Sequence, residues 1–300
     1  MPMPIPIPTD ACIFHISNSA EVLAALRCGE HRAPSLASEG FIHFSCAHQV
    51  LDVARAFYAG QSGLVLMVVD TGLLTAPLRY EAPAHPSAAA GAAGIAPAQL
   101  FPHLYGPLNA DAILDTVELE RFDGSPVHPD TAAVLRHYRF ERLPVEGSLY
   151  KSTWRAQATS TDGSPAGTAM LGLYAHSPES VSCFHRLAHD EVWHVYGGDP
   201  FVLYLLHPDG SSGEVLMGSN PLAGECAQFV VTSGVWQAGC LVPGGRYALF
   251  GCTMAPGFTG GCFEAGIADA LAQQYPERAD VIRRLSVNGN VQHMPAGFAD

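Results

Sequence analysis

The second half of the chain contains a series of short apolar segments separated by turns rich in glycine and proline. These segments are residues 169–174, 191–196, 201–206, 229–231, 235–241 and 247–252. Segments of this length, repeated about every 8–12 residues with turn signals between them, are typical of an antiparallel barrel or jelly roll. The spacing predicts an all-β domain over residues 131–285, with a helix at 132–140 before the strands and another at 263–273 after them.

The first part of the chain mixes helix and strand signals. Strands are predicted at residues 12–16, 40–44 and 64–69, helices at 20–27 and 48–58, and a final strand and helix around 110–120. A small α/β domain over residues 11–123 therefore precedes the barrel, and residues 124–130 are the predicted linker. Disorder or loose order is predicted for the proline-rich residues 1–10, the Ala/Gly/Pro-rich residues 82–98 and the last residues, 286–300.

The charge balance argues against nucleic-acid and membrane partners. The chain has 28 acidic and 15 basic residues, a formal net charge of −13, which repels phosphate backbones and anionic lipids. No segment approaches the ~20 consecutive apolar residues of a membrane span, and the first residues lack the basic start of a secretory signal. The eight cysteines form no C-x-x-C pair and fit reduced thiols. We expect a cytoplasmic protein.

Four motifs in the second half carry a resemblance to a known superfamily. They read S-C-F-H-R-L-A-H-D-E-V-W-H-V-Y-G-G-D-P at 182–200, V-T-S-G-V-W-Q-A at 231–238, Y-A-L-F-G-C-T-M-A-P-G-F at 247–258 and P-V-E-G-S-L-Y at 144–150. This region resembles the cupins, and especially the branch of predicted sugar epimerases, domain-of-unknown-function family 985. The resemblance implies a double-stranded β-helix, or jelly-roll barrel, around a small-molecule pocket, and by default a homodimer through this domain.

The metal ligands of the metal-binding cupins are only partly present. Two His and one Glu of the first motif, with a His of the second, suit Fe, Mn or Zn in those proteins. Here His185 and Glu191 occupy two of the four positions, whereas Leu187 and Gln237 occupy the others. We expect no required cofactor, and the alternative is Fe, Mn or Zn held by His185, Glu191 and Gln237.

Without a metal, His185 beside Glu191 predicts proton-transfer chemistry. An imidazole oriented by a carboxylate is a general base near neutral pH, and the resemblance to cupin-fold epimerases implies an isomerase acting on a sugar-derived or other carbonyl-bearing ligand. A non-catalytic binding cupin and a metal-dependent oxygenase or hydrolase are the alternatives. Tyr196, Tyr174 and Tyr247 are candidates for the opposing acid. The predicted substrate contacts are Trp193, Gln237, Trp236, Tyr174, Tyr247 and Glu264, although both tryptophans equally fit the barrel core.

The first half resembles domain-of-unknown-function family 952 through I-F-H-I at 13–16, E-G-F-I-H-F-S at 39–45, L-R-Y-E at 78–81 and F-P-H-L-Y-G-P-L at 101–108. That family is thought to be distantly similar to ADP-ribosyltransferases, which implies an NAD cradle. By position, His15, His43 and Ser45 would contact the nicotinamide ribose, and Glu81, His103 and Tyr105 would make the remaining contacts. Since neither a clear catalytic Glu nor a Gly-rich phosphate loop is present, ligand binding is predicted rather than transfer. Buried structural histidines are the alternative.

Overall fold

The structure is a computed structural model that describes residues 10–83, 100–287, 289 and 291–299. Except for residues 10, 82 and 83, the segments predicted as a tail at 1–10 and as a flexible loop at 82–98 lie outside these residues. The chain divides into an amino-terminal unit, Met1–Tyr138 with Ser177–Glu179, and a carboxy-terminal unit, Arg139–His176 with Ser180–Asp300. Among the described residues, no helix has the length and apolar character needed to cross a membrane.

The amino-terminal unit is a small α/β structure. Its strands are β1 Cys12–Asn18, β2 Glu30–His31, β3 Ile42–His43, β4 Leu64–Asp70, β5 Leu78–Glu81, β6 Phe101–Leu104, β7 Leu108–Asn109 and β8 Ile113–Glu118. Its α-helices are α1 Ser19–Cys28, α2 Pro34–Ser38, α3 Ala47–Phe57 and α4 Pro129–Tyr138. The strands form three antiparallel groups, in the orders β1-β4-β8, β3-β6-β5 and β2-β7. The prediction of a helix near 110–120 is wrong, because only short 3-10 turns flank strand β8 there.

Two local features of this unit follow directly from the sequence. The Asn18 side chain accepts a hydrogen bond from the Glu21 N–H and begins α1, and Gly29 ends it with φ of 80°. The register of β3 against β6 places His43 opposite His103. Helix α4 belongs to this unit, where its Arg136 donates to the buried carboxylate of Asp70 at 2.6 Å.

The carboxy-terminal unit consists of two antiparallel sheets. The strands are β9 Glu141–Arg142, β10 Leu149–Arg155, β11 Thr168–Ala175, β12 Ser182–Leu187, β13 Glu191–Gly198, β14 Phe201–Leu206, β15 Ser212–Met217, β16 Gln228–Val231, β17 Trp236–Leu241, β18 Tyr247–Met254 and β19 Phe263–Ala265. The sheet orders are β16-β13-β18-β11-β10-β9 and β15-β14-β17-β12-β19. Helices α5 Ala268–Gln274 and α6 Ala279–Arg284 follow. The predicted fold class, a small α/β region followed by an all-β barrel, is confirmed.

A cluster of aromatic side chains fills part of the space between the two sheets. Tyr174, Trp193 and Phe250 of one sheet pack with Phe201 of the other, and the Tyr174 and Phe250 ring centroids are 4.5 Å apart. Gly239 makes this packing possible, because a Cβ atom there would lie 2.2 Å from the Tyr174 hydroxyl. This end of the barrel interior is therefore solid.

The structure differs from the sequence-based expectation at the carboxy-terminal end. Residues 263–265, predicted to begin a helix, form β19, because they pair with β12. The described part of the segment predicted to be loose, residues 286–300, packs against the barrel. Its Gln292 carbonyl accepts from the Ala265 N–H at 2.7 Å, its Phe298 carbonyl accepts from the Gly260 N–H at 3.1 Å, and Met294 is buried. Apolar side chains among polar ones anchor this segment.

Candidate functional site

A cavity of about 300 Å³ occupies the part of the barrel that the aromatic cluster leaves open. Its lining includes two buried carboxyl groups, those of Glu146 and Glu191, and one buried imidazole, that of His185. Most of the remaining lining is apolar, with hydroxyl groups and one guanidinium at intervals; these residues are Leu143, Tyr150, Ser152, Arg155, Thr168, Ala169, Met170, Leu187, Cys252, Met254, Phe258, Phe298 and Ala299. A mostly apolar wall with a few convergent polar groups is typical of small-molecule sites.

His185 is held on β12 with a defined ring orientation. Its Nδ1 lies 2.8 Å from the Cys183 carbonyl oxygen, and its ring stacks on Phe263 with centroids 5.3 Å apart. Because a carbonyl only accepts, Nδ1 carries the proton in the neutral ring, and Nε2 is left as an acceptor. Nε2 is 3.9 Å from Glu146 Oε2, which is an electrostatic contact too long for a hydrogen bond.

Glu146 is the functional candidate that the sequence reasoning missed. It follows Val145, which has φ of 65°, in a tight turn where the Glu146 N–H donates to the Pro144 carbonyl at 2.7 Å. Such positive φ is strained for a β-branched residue and clusters at functional sites. The carboxylate Oε1 accepts from Ser148 and Ser182 hydroxyls at 2.8 and 2.6 Å. The motif at 144–150 was the available signal.

Glu191 reaches the same cavity from β13. Its Oε2 accepts from the Gln237 amide at 2.7 Å, and the Gln237 oxygen accepts from the Trp193 indole N–H at 3.0 Å. Burial raises the pKa of Glu191, and the nearby Glu146 carboxylate raises it further, while His185 and Gln237 act in the opposite direction. Glu191 therefore keeps its proton at higher pH than an ordinary glutamate does. Burial also raises the pKa of the adjacent Cys252 thiol well above its usual range.

The other predicted substrate contacts lie elsewhere in this unit. Trp193, two residues after Glu191, points inward as strand alternation predicts. It packs in the hydrophobic core, however, together with the fully buried Tyr174. Trp236 and Glu264 line a second cavity of about 320 Å³, where Arg186 binds Glu264 at 2.7 Å. Tyr247 does not line the cavity of His185, nor do the other two tyrosines considered as acids; Tyr150 does.

The amino-terminal unit has a cavity of its own, of about 490 Å³. His15, His43, Ser45 and His103, four of the residues predicted to contact a ligand, line it. Glu81 stands behind His103, accepting from its Nδ1 at 3.1 Å and from the Tyr105 hydroxyl at 2.7 Å.

One buried contact in this unit was not anticipated. The Nε2 atoms of His15 and His31 lie 3.2 Å apart, while the His15 Nδ1 lies 2.8 Å from the His43 carbonyl oxygen. Burial lowers the pKa of His15 to about 4 and also lowers that of His31, so this pair is uncharged at neutral pH.

Comparison with known families agrees with both halves of this description. Residues 132–265 match the model of the cupin superfamily family DUF985. The carboxy-terminal unit is a cupin domain. Residues 16–116 match DUF952, a family of proteins of unknown function. No curated protein matches the chain.

Solved structures are similar to parts of the chain. Protein SO0799 from Shewanella oneidensis is 28% identical, with 52% of this chain and 97% of that chain covered and a TM-score of 0.48. Protein CC0527 from Caulobacter crescentus is 31% identical over 41% of this chain and 98% of that chain, with a TM-score of 0.30. A cupin 2 domain-containing protein from Halorhodospira halophila is 15% identical over 49% and 88%, with a TM-score of 0.33.

The cupin domain does not offer the ligand set of the metal-binding members. Leu187 has no donor atom, and both ends of the Gln237 amide are engaged, by Glu191 and Trp193. Within the described ranges, no group of three or more His, Cys, Asp or Glu side chains is placed to hold a metal ion. The residues present therefore fit proton transfer by side chains better than a bound Fe, Mn or Zn.

Proposed function

We propose that the cupin domain is an isomerase or epimerase that moves a proton at a carbon next to a carbonyl group, in a sugar-derived or other carbonyl-bearing small molecule. The amino-terminal unit is then an accessory ligand-binding domain. One observation carries the proposal: Nε2 of His185, the acceptor nitrogen of the neutral ring, lines a cavity together with two buried carboxyl groups. An acid and a base that line one pocket are the requirements of this reaction.

In the proposed step, His185 Nε2 takes the proton from the carbon next to the carbonyl. The electron pair of the broken C–H bond forms a C=C bond, and the carbonyl π electrons move to oxygen. The protonated form of Glu191, which burial favours by raising its pKa, gives its proton to that oxygen and yields an enol. Return of a proton from His185 to carbon, and of the enol proton to Glu191, completes the exchange with the original configuration. Inversion at that carbon requires a second donor on the opposite face, and the Tyr150 hydroxyl, which lines the same cavity, is the candidate.

Glu146 serves this step through charge. Its carboxylate accepts from two serine hydroxyls, which fix its position beside His185. At 3.9 Å from His185 Nε2, it favours the imidazolium ion that proton abstraction creates. The two carboxyl groups thus have separate roles, one as proton donor and one as counter-charge.

The proposal is tested by deuterium incorporation into candidate substrates. The full-length protein is incubated in D₂O with aldoses, ketoses and 2-keto acids, and loss of the proton next to the carbonyl is followed by ¹H NMR. We expect exchange for at least one class, reduced ~100-fold or more in His185→Asn, in line with the usual contribution of a general base. His194→Asn is the matched control, because this neighbouring histidine binds Thr253 and Gln228 outside the cavity. Equal exchange in wild type and His185→Asn would refute the role of His185.

A further inference from the structure

The amino-terminal cavity is lined by a histidine whose second ring nitrogen has no hydrogen-bond partner in the part of the chain that the structure describes. His103 is 2% exposed, and its Nε2 lacks a hydrogen-bond partner among the described residues. Its Nδ1 donates to Glu81, since a carboxylate only accepts, and Nε2 is therefore an acceptor. A buried acceptor left unpaired lowers stability, so its retention points to a donor outside the described residues, such as a bound ligand.

The surroundings hold His103 in a fixed orientation. Its ring stacks on Phe41 with centroids 4.2 Å apart and planes 21° from parallel. The Glu81 carboxylate that accepts the hydrogen bond from Nδ1 also accepts one from the Tyr105 hydroxyl. The acceptor is therefore positioned in advance, which is how binding sites reduce the entropy lost on ligand binding.

The charges of this cavity select against phosphate. Glu21 and Glu39 contribute carboxylates to its lining, and no lysine or arginine is found among the described lining residues. Burial lowers the pKa of His15 and of His103, so these rings add no positive charge at neutral pH. NAD, which the distant resemblance to ADP-ribosyltransferases implies, carries two phosphates that need cationic or amide partners. These residues do not fit it.

The walls favour a flat ring. Five carbocyclic aromatic side chains line the cavity together with the histidines: Phe14, Phe44, Phe57, Tyr58 and Phe101. Hydroxyl and amide groups lie among them, from Ser17, Ser35, Ser45, Asn18 and Gln61. Aromatic faces bind planar ligands by stacking, and the interspersed polar groups suit a ligand that carries hydroxyls.

We propose that this cavity binds an uncharged or cationic nucleoside-like molecule, a nitrogen heterocycle joined to a hydroxyl-bearing group, and excludes its phosphate esters. An O–H or N–H of the ligand donates to His103 Nε2. The inference rests on the proposed ligand-binding role of the amino-terminal unit and adds the chemical class of the ligand.

The test uses matched ligands that differ only by a phosphate. Binding of adenosine and of nicotinamide riboside to the full-length protein is measured by isothermal titration calorimetry, each beside its 5′-monophosphate. We expect at least one nucleoside to bind at least ~10-fold more tightly than its monophosphate, as the carboxylates require. His103→Phe keeps the flat ring but removes the acceptor, and should weaken nucleoside binding ~10-fold or more.

Controls separate a binding role from a structural one. His128→Gln changes an exposed histidine outside the cavity and should leave the dissociation constant within about two-fold of wild type. If His103→Phe does not fold, Glu81→Gln serves instead. It keeps the side-chain size but removes the carboxylate that holds the proton of His103 on Nδ1. Nucleoside binding should then weaken several-fold.

Each possible binding result either supports or overturns the proposed ligand class. Tighter binding of the monophosphates would overturn the ligand class while leaving a ligand-binding role for the unit. Absence of binding by all four compounds up to 10 mM would overturn the inference. It would also show that the amino-terminal unit is not an accessory domain for nucleosides or nucleotides. The deuterium exchange assay of the cupin domain stands apart from both outcomes, since it reports on the other unit.

Discussion

The two cavities each contain a buried histidine whose Nδ1 is fixed and whose Nε2 has no hydrogen-bond partner in the described structure, yet their surroundings differ. Around His185 a backbone carbonyl holds Nδ1, and the carboxylate of Glu146 lies on the Nε2 side. Around His103 the carboxylate of Glu81 holds Nδ1 itself. A carboxylate beside Nε2 stabilises a proton arriving there, which suits catalysis. A carboxylate on Nδ1 fixes the tautomer that leaves Nε2 as the acceptor, and burial lowers the pKa of His103, so that this nitrogen is available to a ligand donor.

The largest expected effect is on the pH dependence of stability in the amino-terminal unit. Burial lowers the pKa of His15 from 6.5 to about 4, so between these values the unfolded chain binds more protons than the folded one. Stability therefore increases from pH 4 to 6.5, by roughly 3 kcal/mol. Amide hydrogen exchange of Cys12–Asn18 at pH 4.5 and 7 measures it, and His15→Gln should flatten the slope. An unchanged slope in that variant would contradict the assignment.

The next effect distinguishes the carboxyl group of Glu191 in the cupin cavity from that of Glu81 in the amino-terminal unit. Glu191→Gln should reduce deuterium exchange by the cupin domain ~100-fold, because the acid is lost, whereas Glu81→Gln should leave it unchanged. Since the pKa of Glu191 is raised, the wild-type rate should fall as pH rises through that pKa and the donor proton is lost. Glu191 in the folded protein also keeps its proton to higher pH than Glu191 in the unfolded chain does. Stability therefore falls as pH rises from the unfolded pKa to the folded pKa. A rate that is independent of residue 191 would assign proton donation to another group.

A smaller effect is expected at the counter-charge. Glu146→Gln should reduce exchange ~10-fold, since the imidazolium ion loses a neighbouring negative charge in a low-dielectric pocket. Ser182→Ala removes one of the two hydroxyls that stabilise Glu146 and should reduce the rate a few-fold at most. Rates for both variants, beside unfolding curves that confirm their folding, provide the measurement. A larger loss in Ser182→Ala than in Glu146→Gln would reverse the proposed order of influence.

The sequence was most informative where a residue's position followed from strand periodicity. The two-sheet barrel, the convergence of His185 with Glu191, and the inward direction of Trp193 all follow from alternation along β12 and β13. Periodicity says which face a side chain occupies and not how deep it lies, and so the sequence left Trp193 open between a substrate contact and the core, where the structure places it.

The residues that the sequence did not reveal depend on turns and on distant contacts. Glu146 enters the cavity through a strained turn at Val145, and no repeating pattern encodes such a turn. The packing of residues 291–299 on the barrel depends on Met294 and Phe298 meeting strands more than thirty residues away. The unpaired Nε2 of His103 is visible only once its surroundings in three dimensions are known.

The most direct test measures affinity and turnover together. With a substrate found by the exchange assay, the dissociation constant and the deuterium exchange rate are determined for wild type and His185→Asn. The account predicts a dissociation constant within about three-fold of wild type and a rate lower by ~100-fold or more. An unchanged rate, or affinity lost in the same proportion as rate, would contradict it and identify the cupin cavity as a binding site in which His185 only contacts the ligand.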